Sequence, residues 1–217
     1  MATTLYFSPG TCAFVPHALL EIADAQFDTV LVKLHKGEHN KPDFMALNPR
    51  GQVPVLVMNS FVLTQLLAIV LYLDTQFPQA SLLPHDPRQR AKAMETLAWM
   101  NNTVHPTFSH IFLPHKFASD EATQSQIKAH ALRQYRSQLQ ELEATVELSE
   151  RQGYAWLAGE QVGPLDAYAL TLLRWGTLAQ MDPEDFPVLW KFVQRVATHP
   201  KIARALARER LQISVFK

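Results

Sequence analysis

The sequence predicts two unlike domains, an α/β domain over residues 1–77 and an all-α domain over residues 89–217, joined by a linker at 78–88. Three observations carry this. Short β-forming runs alternate with helical stretches as far as Leu73 and do not recur later. Phe77 to Arg88 has no periodicity and holds Pro78, Pro84 and Pro87, the composition of a connection. Beyond it, apolar residues fall at helical spacing to the end of the chain.

In the first part, Thr3 to Phe7 alternates β-formers and is stopped by Ser8-Pro9-Gly10, a strand running into a loop. Thr11 can cap a helix from about Cys12 to Ala25, with Pro16 in or near the first turn, where a missing N–H costs little. Thr29 to Leu34 is a second strand, and the polar loop after it carries Lys36, Gly37, His39, Asn40 and Lys41. Pro42 to Leu47 forms at most a short helix before Asn48-Pro49. Gln52-Val53-Pro54 then leads into Val55 to Met58, and Asn59-Ser60 turns the chain into Phe61 to Leu63, a tight hairpin. Thr64-Gln65 hands over to a helix whose Leu66 to Leu73 leave almost no polar face, so it is expected to be buried against a sheet. The order β-α-β-α-β-β-α is that of a thioredoxin-like fold. A buried helix starting directly off an edge hairpin leaves free N–H groups beside strand groups that Pro54 keeps out of the ladder, a place suited to a small anionic peptide.

In the second part, Arg88 to about Phe117 is helical and kinked near His105-Pro106, because Pro106 removes one backbone bond. Ser119-Asp120-Glu121 opens a helix running through Ile127, Tyr135, Leu139, Leu142 and Val146. Gly163-Pro164-Leu165-Asp166 starts another, with proline at the first helical position and an acid in the first turn, which runs through Ala169, Leu172 and Trp175. Asp182-Pro183 separates it from Phe186 to Ala197, and Pro200 starts the last helix.

Twenty basic and twenty acidic residues cancel, so no partner of strong charge such as nucleic acid or an anionic membrane surface is indicated. The longest unbroken apolar run is the eight residues from Leu66 to Leu73, far short of the ~20 needed to span a bilayer. The start, MATTLYFSPG, has neither the basic nor the long apolar region of a secretory signal, and a single cysteine excludes an internal disulfide. A reducing cytoplasm is the expected setting, and no metal site is expected.

NPRGQVPVL, the short hairpin and LTQLLAIVLYL together resemble the glutathione-binding half of the cytosolic glutathione transferases, the bacterial beta-type members most closely. GYAWLAGEQVGPLDAYALTLLRWG resembles the family's GExxxxADxxL segment, and FVQRVATHPKIARAL its closing helices. HPTFSHIFLP resembles the segment after a histidine that lines the cleft of beta-type enzymes. The resemblance implies the glutathione transferase fold, a two-fold dimer, and conjugation of glutathione to a small hydrophobic electrophile. It further implies a cis peptide before Pro54, pairing of the Val53 backbone with the cysteinyl part of glutathione, and capture of the γ-glutamyl carboxylate at the helix start by Gln65 and Leu66. Gln52 belongs to the same motif. Lys36 would pair with the glycine carboxylate, with His35 and His39 as substitutes.

Cys12 is the first candidate for chemistry. At a helix start, oriented N–H groups favour a thiolate, and the matching cysteine of beta-type relatives sits beside the glutathione sulfur and can form a mixed disulfide with it; the other reading is a small buried residue closing a loop. His105 is the second, as a general base through a water or as a lining residue of the electrophile pocket. Asp166 is read as a folding residue. Two departures stand out. Gly163 replaces the family's Ser or Thr cap, at an expected cost of a few tenths of a kcal/mol. Leu66 replaces the usual Ser, which would remove one hydrogen bond to a charged group, roughly 1.5–3 kcal/mol. A transferase and a binding protein of the same fold with a weakened glutathione site are therefore the two functional readings.

Overall fold

The computed structural model describes residues 2–216; Met1 and Lys217, the outer ends of the two expected domains, lie outside them. Strand β1 (Thr3–Phe7) lies inside a four-stranded sheet of order β2-β1-β3-β4. It runs parallel to β2 (Asp28–Leu31) and antiparallel to β3 (Val55–Met58), which pairs antiparallel with β4 (Phe61–Thr64). A parallel pair needs a crossover, and α1 (Phe14–Ile22) supplies it. Alternate strand residues serve two layers. Leu5, Phe7, Leu56 and Met58 join the main core with α1 and α3 (Leu66–Gln76), while Val55 packs with Val32 and with Phe44 of α2 (Pro42–Leu47) in a small second cluster.

The helical domain follows as α4 (Pro87–Trp99), α5 (His105–Phe112), α6 (Glu121–Arg151), α7 (Pro164–Leu178), α8 (Pro187–Thr198) and α9 (Pro200–Glu209). Asp86 caps α4 by accepting from the N–H groups of Arg88 and Gln89, and Asp120 caps α6 by accepting from Thr123. Where a kink is expected near Pro106 the helix carries a π-helical turn, Met100–Val104, placed just before the proline where one backbone bond is missing. Helix α1 packs against both α7 and α9, so the two domains share the main core.

Several expected boundaries move. Helix α1 begins at Phe14 and ends at Ile22, leaving Cys12 in the turn before it. Thr11 spends its hydroxyl within that turn, donating to the Ser8 carbonyl at 2.7 Å and accepting from the Ala13 N–H at 3.3 Å, so it closes the loop instead of capping the helix. Strand β2 stops at Leu31 because the chain curls into short 3-10 turns, where Glu38 accepts from the Lys33 N–H at 2.8 Å. Pro114 ends α5 five residues before Phe117. Helix α3 is not buried all round. Leu66, Ile69, Val70 and Leu73 face the core, whereas Leu71 is exposed and Tyr72 half-buried, beside an exposed Phe61 and Val62 on β4.

The linker is anchored. Its Leu82 and Leu83 are buried, and the Leu83 N–H donates to Asp74, which also holds Arg90 at 2.7 Å. This changes the reading of Gly163. Asp166 accepts from the Gly163 N–H at 2.7 Å and from the Leu157 N–H at 2.9 Å, the folding role expected of it. A Cβ on Gly163, however, would stand 2.7 Å from the Leu82 carbonyl oxygen. The glycine gives up a side-chain cap because the linker backbone occupies the space a side chain needs.

Candidate active site

The bond between Val53 and Pro54 is cis. Proline has no N–H to give, and it follows a loop pinned by the buried Asn48, whose side chain donates to the Gln52 carbonyl at 2.7 Å and accepts from the Arg50 N–H at 3.1 Å. Val55 pairs with Thr64 as the last pair of the ladder, so Pro54 and Gln65 each adjoin a residue of that pair. Gln65 is exposed and takes φ +72°, ψ +121°, a conformation that non-glycine residues rarely adopt and that concentrates at functional positions. The first intrahelical bond of α3 runs from the Ile69 N–H to the Gln65 carbonyl, so the N–H groups of Leu66, Leu67 and Ala68 have no partner within the helix. The Leu66 side chain is only 4 % exposed and lies in the main core.

The Cys12 sulfur stands 3.8 Å from the Val53 carbonyl oxygen, a long contact in which the thiol donates. This joins the cysteine to the cis-proline turn. The expected thiolate is not what the surroundings favour, because Cys12 is buried and sits ahead of α1 instead of in its first turn. Burial pushes the thiol up to about 12, and the cysteine's own backbone N–H offsets it only in part.

His105 opens α5, and Phe108 and Phe112 follow on the same face at helical spacing. Phe112 is exposed and stacks on Phe108, which stacks on Trp175 with ring centroids 4.8 Å apart. The His105 ring meets Trp175 edge-on at 4.7 Å, and its Nδ1 lies 2.8 Å from the Tyr168 hydroxyl. Trp175 in turn donates its indole N–H to the Gly10 carbonyl at 2.8 Å, two residues from Cys12. The structure therefore brings His105 to the cysteine loop through Trp175. Burial holds His105 down at about 4, so it is neutral at pH 7. Tyr168 and Trp175 are the residues that sequence reasoning missed. In the sequence Trp175 is one of several apolar residues along its helix, yet the two stand seven apart on α7, a spacing that puts them on one helix face.

Lys36 and His35 are exposed on a short turn. That turn belongs to the same corner as Gln52, since the His39 carbonyl and the Asn40 side chain pack within 3.3 Å of where a Cβ on Gly51 would stand. His39 Nδ1 is buried there without a hydrogen-bond partner. His35 and His39 have a four-residue spacing that would align two ligands on an α-helix, but Gly37 at φ +69° breaks the segment between them. Among the described residues no group of three or more His, Cys, Asp or Glu is placed to hold a metal ion. None of the helices described is long and apolar enough to cross a membrane.

Two family models match the chain, glutathione S-transferase N-terminal domain over residues 1–75 and glutathione S-transferase C-terminal domain over residues 99–200. Glutathione S-transferase GstA of Escherichia coli O157:H7 is 30% identical over 211 residues, 96% of this chain and 99% of the relative. The bacterial beta class glutathione S-transferase of Sphingomonas chungbukensis superposes with a TM-score of 0.81 at 31% identity, covering 96% of this chain and 100% of that one. A sphingomonad glutathione S-transferase solved in complex with glutathione has a TM-score of 0.80 at 28% identity, covering 96% and 100%.

Proposed function

Since this chain belongs to the glutathione S-transferase family, we propose that it joins the thiolate of glutathione to small hydrophobic electrophiles, with glutathione as co-substrate and no metal. The carrying observation is the juxtaposition of the cis Val53–Pro54 turn, the open N-terminus of α3 and the Cys12 sulfur. In this reading the Val53 backbone pairs with the cysteinyl unit of glutathione. Gln65 and the Leu66 N–H take the γ-glutamyl carboxylate, to which three unpaired N–H groups at a helix start are favourable. The inward turn of the Leu66 side chain supports the reading, because the leucine that replaces a hydroxyl also stays out of the space beside the helix end. Gln52 borders the peptide, and Lys36, with His35 and His39 near it, takes the glycine carboxylate.

Chemistry then runs at the cysteinyl sulfur. The glutathione thiol gives its proton to solvent, the thiolate attacks the electrophilic atom to form the C–S bond, and the leaving group or the activated π-bond receives the displaced electron pair. Cys12, held neutral by burial, turns its one S–H from the long Val53 contact to that sulfur as a weak donor. A thiol held at about 12 supports conjugation over disulfide exchange as the main activity. His105, Phe108 and Phe112 line the electrophile side, the aromatic faces supplying its apolar wall.

Expected with this reading are a cytoplasmic setting, a domain division at residues 78–88 and a homodimer. The exposed Phe61, Val62 and Leu71 support the dimer, since a partner would cover them. Titration calorimetry with reduced glutathione tests the core of the proposal. Saturable heat together with conjugation of an aromatic halide carries it. Absence of heat at millimolar glutathione would leave a binding protein of the same fold that has lost its co-substrate. Sedimentation tests the dimer, and a species of 24.6 kDa alone contradicts it.

A further inference from the structure

We infer that Tyr168 is a positioning residue that fixes His105 as a hydrogen-bond donor toward the cleft, not as a general base. The two side chains meet at 2.8 Å through the tyrosine hydroxyl and His105 Nδ1. One proton lies between them, and the geometry offers two arrangements. In one, Tyr168 donates to Nδ1 and the ring carries its hydrogen on Nε2. In the other, Nδ1–H donates to the hydroxyl, which must place its own hydrogen on the Asn101 side-chain oxygen.

Two observations choose the first. The Asn101 oxygen is 3.5 Å from the Tyr168 hydroxyl, beyond the range in which O–H donors bond well, whereas the imidazole nitrogen is at a normal bonding distance. Acid–base chemistry points the same way. A phenol is a better donor than a neutral imidazole N–H, and an imidazole nitrogen is a better acceptor than a phenol oxygen. Tyr168 is itself fully buried on α7, its ring edge-on to His105, so neither the distance nor the angle is free to drift. Burial also holds the hydroxyl protonated.

The consequence falls on Nε2. It carries the hydrogen, has no partner in the protein among the described residues, and is not one of the buried orphan atoms, so it reaches solvent beside Trp175. A donor there stabilises negative charge, on the glutathione sulfur or on a departing anion. It cannot accept the thiol proton without first losing its own hydrogen. This role rests on the transferase reading for what the donor acts on, but the tautomer itself does not.

Nitrogen-resolved NMR of the histidine rings, with His105→Gln used to assign the signal, tests the tautomer without substrate. The expected result is a protonated Nε2 and an unprotonated Nδ1 in the wild type. In Tyr168→Phe the ratio of the two forms should move by about five- to tenfold toward protonated Nδ1, the loss of one hydrogen bond. A wild-type ring protonated on Nδ1, or a ratio unmoved in Tyr168→Phe, overturns the assignment. If Tyr168→Phe does not fold, the wild-type spectrum alone decides. Kinetics separate the two levels. His105→Gln, which keeps an N–H donor, should retain more turnover than His105→Leu with the same pH profile. The expected tautomer in a chain that ignores glutathione would leave Tyr168 in place and remove the transferase. A conjugating enzyme with Nδ1 protonated would do the reverse.

Discussion

Glu209, the last residue of α9, meets His17 in the middle of α1, the carboxylate oxygen 2.8 Å from Nδ1 with neither side chain reaching solvent. The second carboxylate oxygen accepts the Gly10 N–H at 3.0 Å. One residue thus ties the end of the helical domain to the crossover helix and to the loop that carries Cys12. Gly10 is held on both sides, its N–H by Glu209 and its carbonyl by Trp175. The backbone there takes φ +70°, a conformation that side-chain-bearing residues rarely adopt, which explains why a glycine sits there.

Glu209→Ala should therefore be severe for a position so close to the end of the chain. It removes the shared acceptor of His17 and the Gly10 N–H, and leaving two buried groups unpaired costs about 1–3 kcal/mol each, about 3–5 kcal/mol together. Urea unfolding should show a midpoint shift of that size, and Glu209→Gln, which keeps an acceptor for Gly10, should fall between. A change under about 1 kcal/mol in Glu209→Ala would mean that the contact contributes nothing net.

Gly163→Ser gives the second prediction, and its sign separates two arguments. Cap preference alone makes serine slightly better than glycine at a helix start. The Leu82 carbonyl 2.7 Å from the new Cβ makes it worse, because a buried backbone must move to admit it. The expected result is destabilisation of about 1–3 kcal/mol, the range for overpacking, read as a lowered Tm. A raised Tm would show that the linker yields easily.

The contrast at Gly163 marks what the sequence could and could not disclose. Local rules reached the order of elements along the chain, the hairpin, the distortion before Pro106 and the folding role of Asp166, since each depends on residues within a few positions of one another. The Val53 turn and the α3 start were also legible, because they are consecutive. The exposed face of α3 was not, since apolar residues on a solvent-facing side look the same as those in a core until the sheet is placed. Nor was the environment of Cys12. Its turn position depends on how Thr11 spends its hydroxyl, and its burial on Val53, forty-one residues away. Tyr168 and His105 are sixty-three apart, and no pattern in either helix announces the meeting.

His105 makes acid stability a third test. Its folded pKa near 4 lies below the unfolded value of about 6.5, so between those limits the unfolded chain binds more protons. The stability associated with a neutral His105 is complete above about pH 6.5 and is lost as pH falls toward 4, by about 3 kcal/mol at most. Asp166 acts in the opposite sense, since burial raises its carboxyl to about 7 and acidification through that range favours the folded state. The two overlap, so the wild-type curve is not diagnostic. The difference between wild type and His105→Gln isolates the histidine. It should grow in favour of the variant as pH falls from 6.5 to 4, and a difference constant with pH would show that His105 titrates normally.

Thiol reactivity offers the last test, and it bears directly on the chemistry. With Cys12 at about 12, only on the order of one molecule in ten thousand holds a thiolate at pH 8, against roughly a quarter for an ordinary cysteine near 8.5. Because Cys12 is the only cysteine, alkylation by iodoacetamide reports on it alone. The rate should be far below that of a free thiol at pH 8 and should climb about tenfold per pH unit up to pH 10 without levelling, as thiolate fraction governs attack. Saturating glutathione should slow it further by covering the Val53 turn. Cys12→Ala should keep most conjugating activity, since a weak S–H donor is all that is removed, whereas a nucleophilic or disulfide-forming cysteine would take the activity with it. A plateau in alkylation below pH 8, coupled with loss of turnover in Cys12→Ala, would place a thiolate at the centre of the mechanism instead.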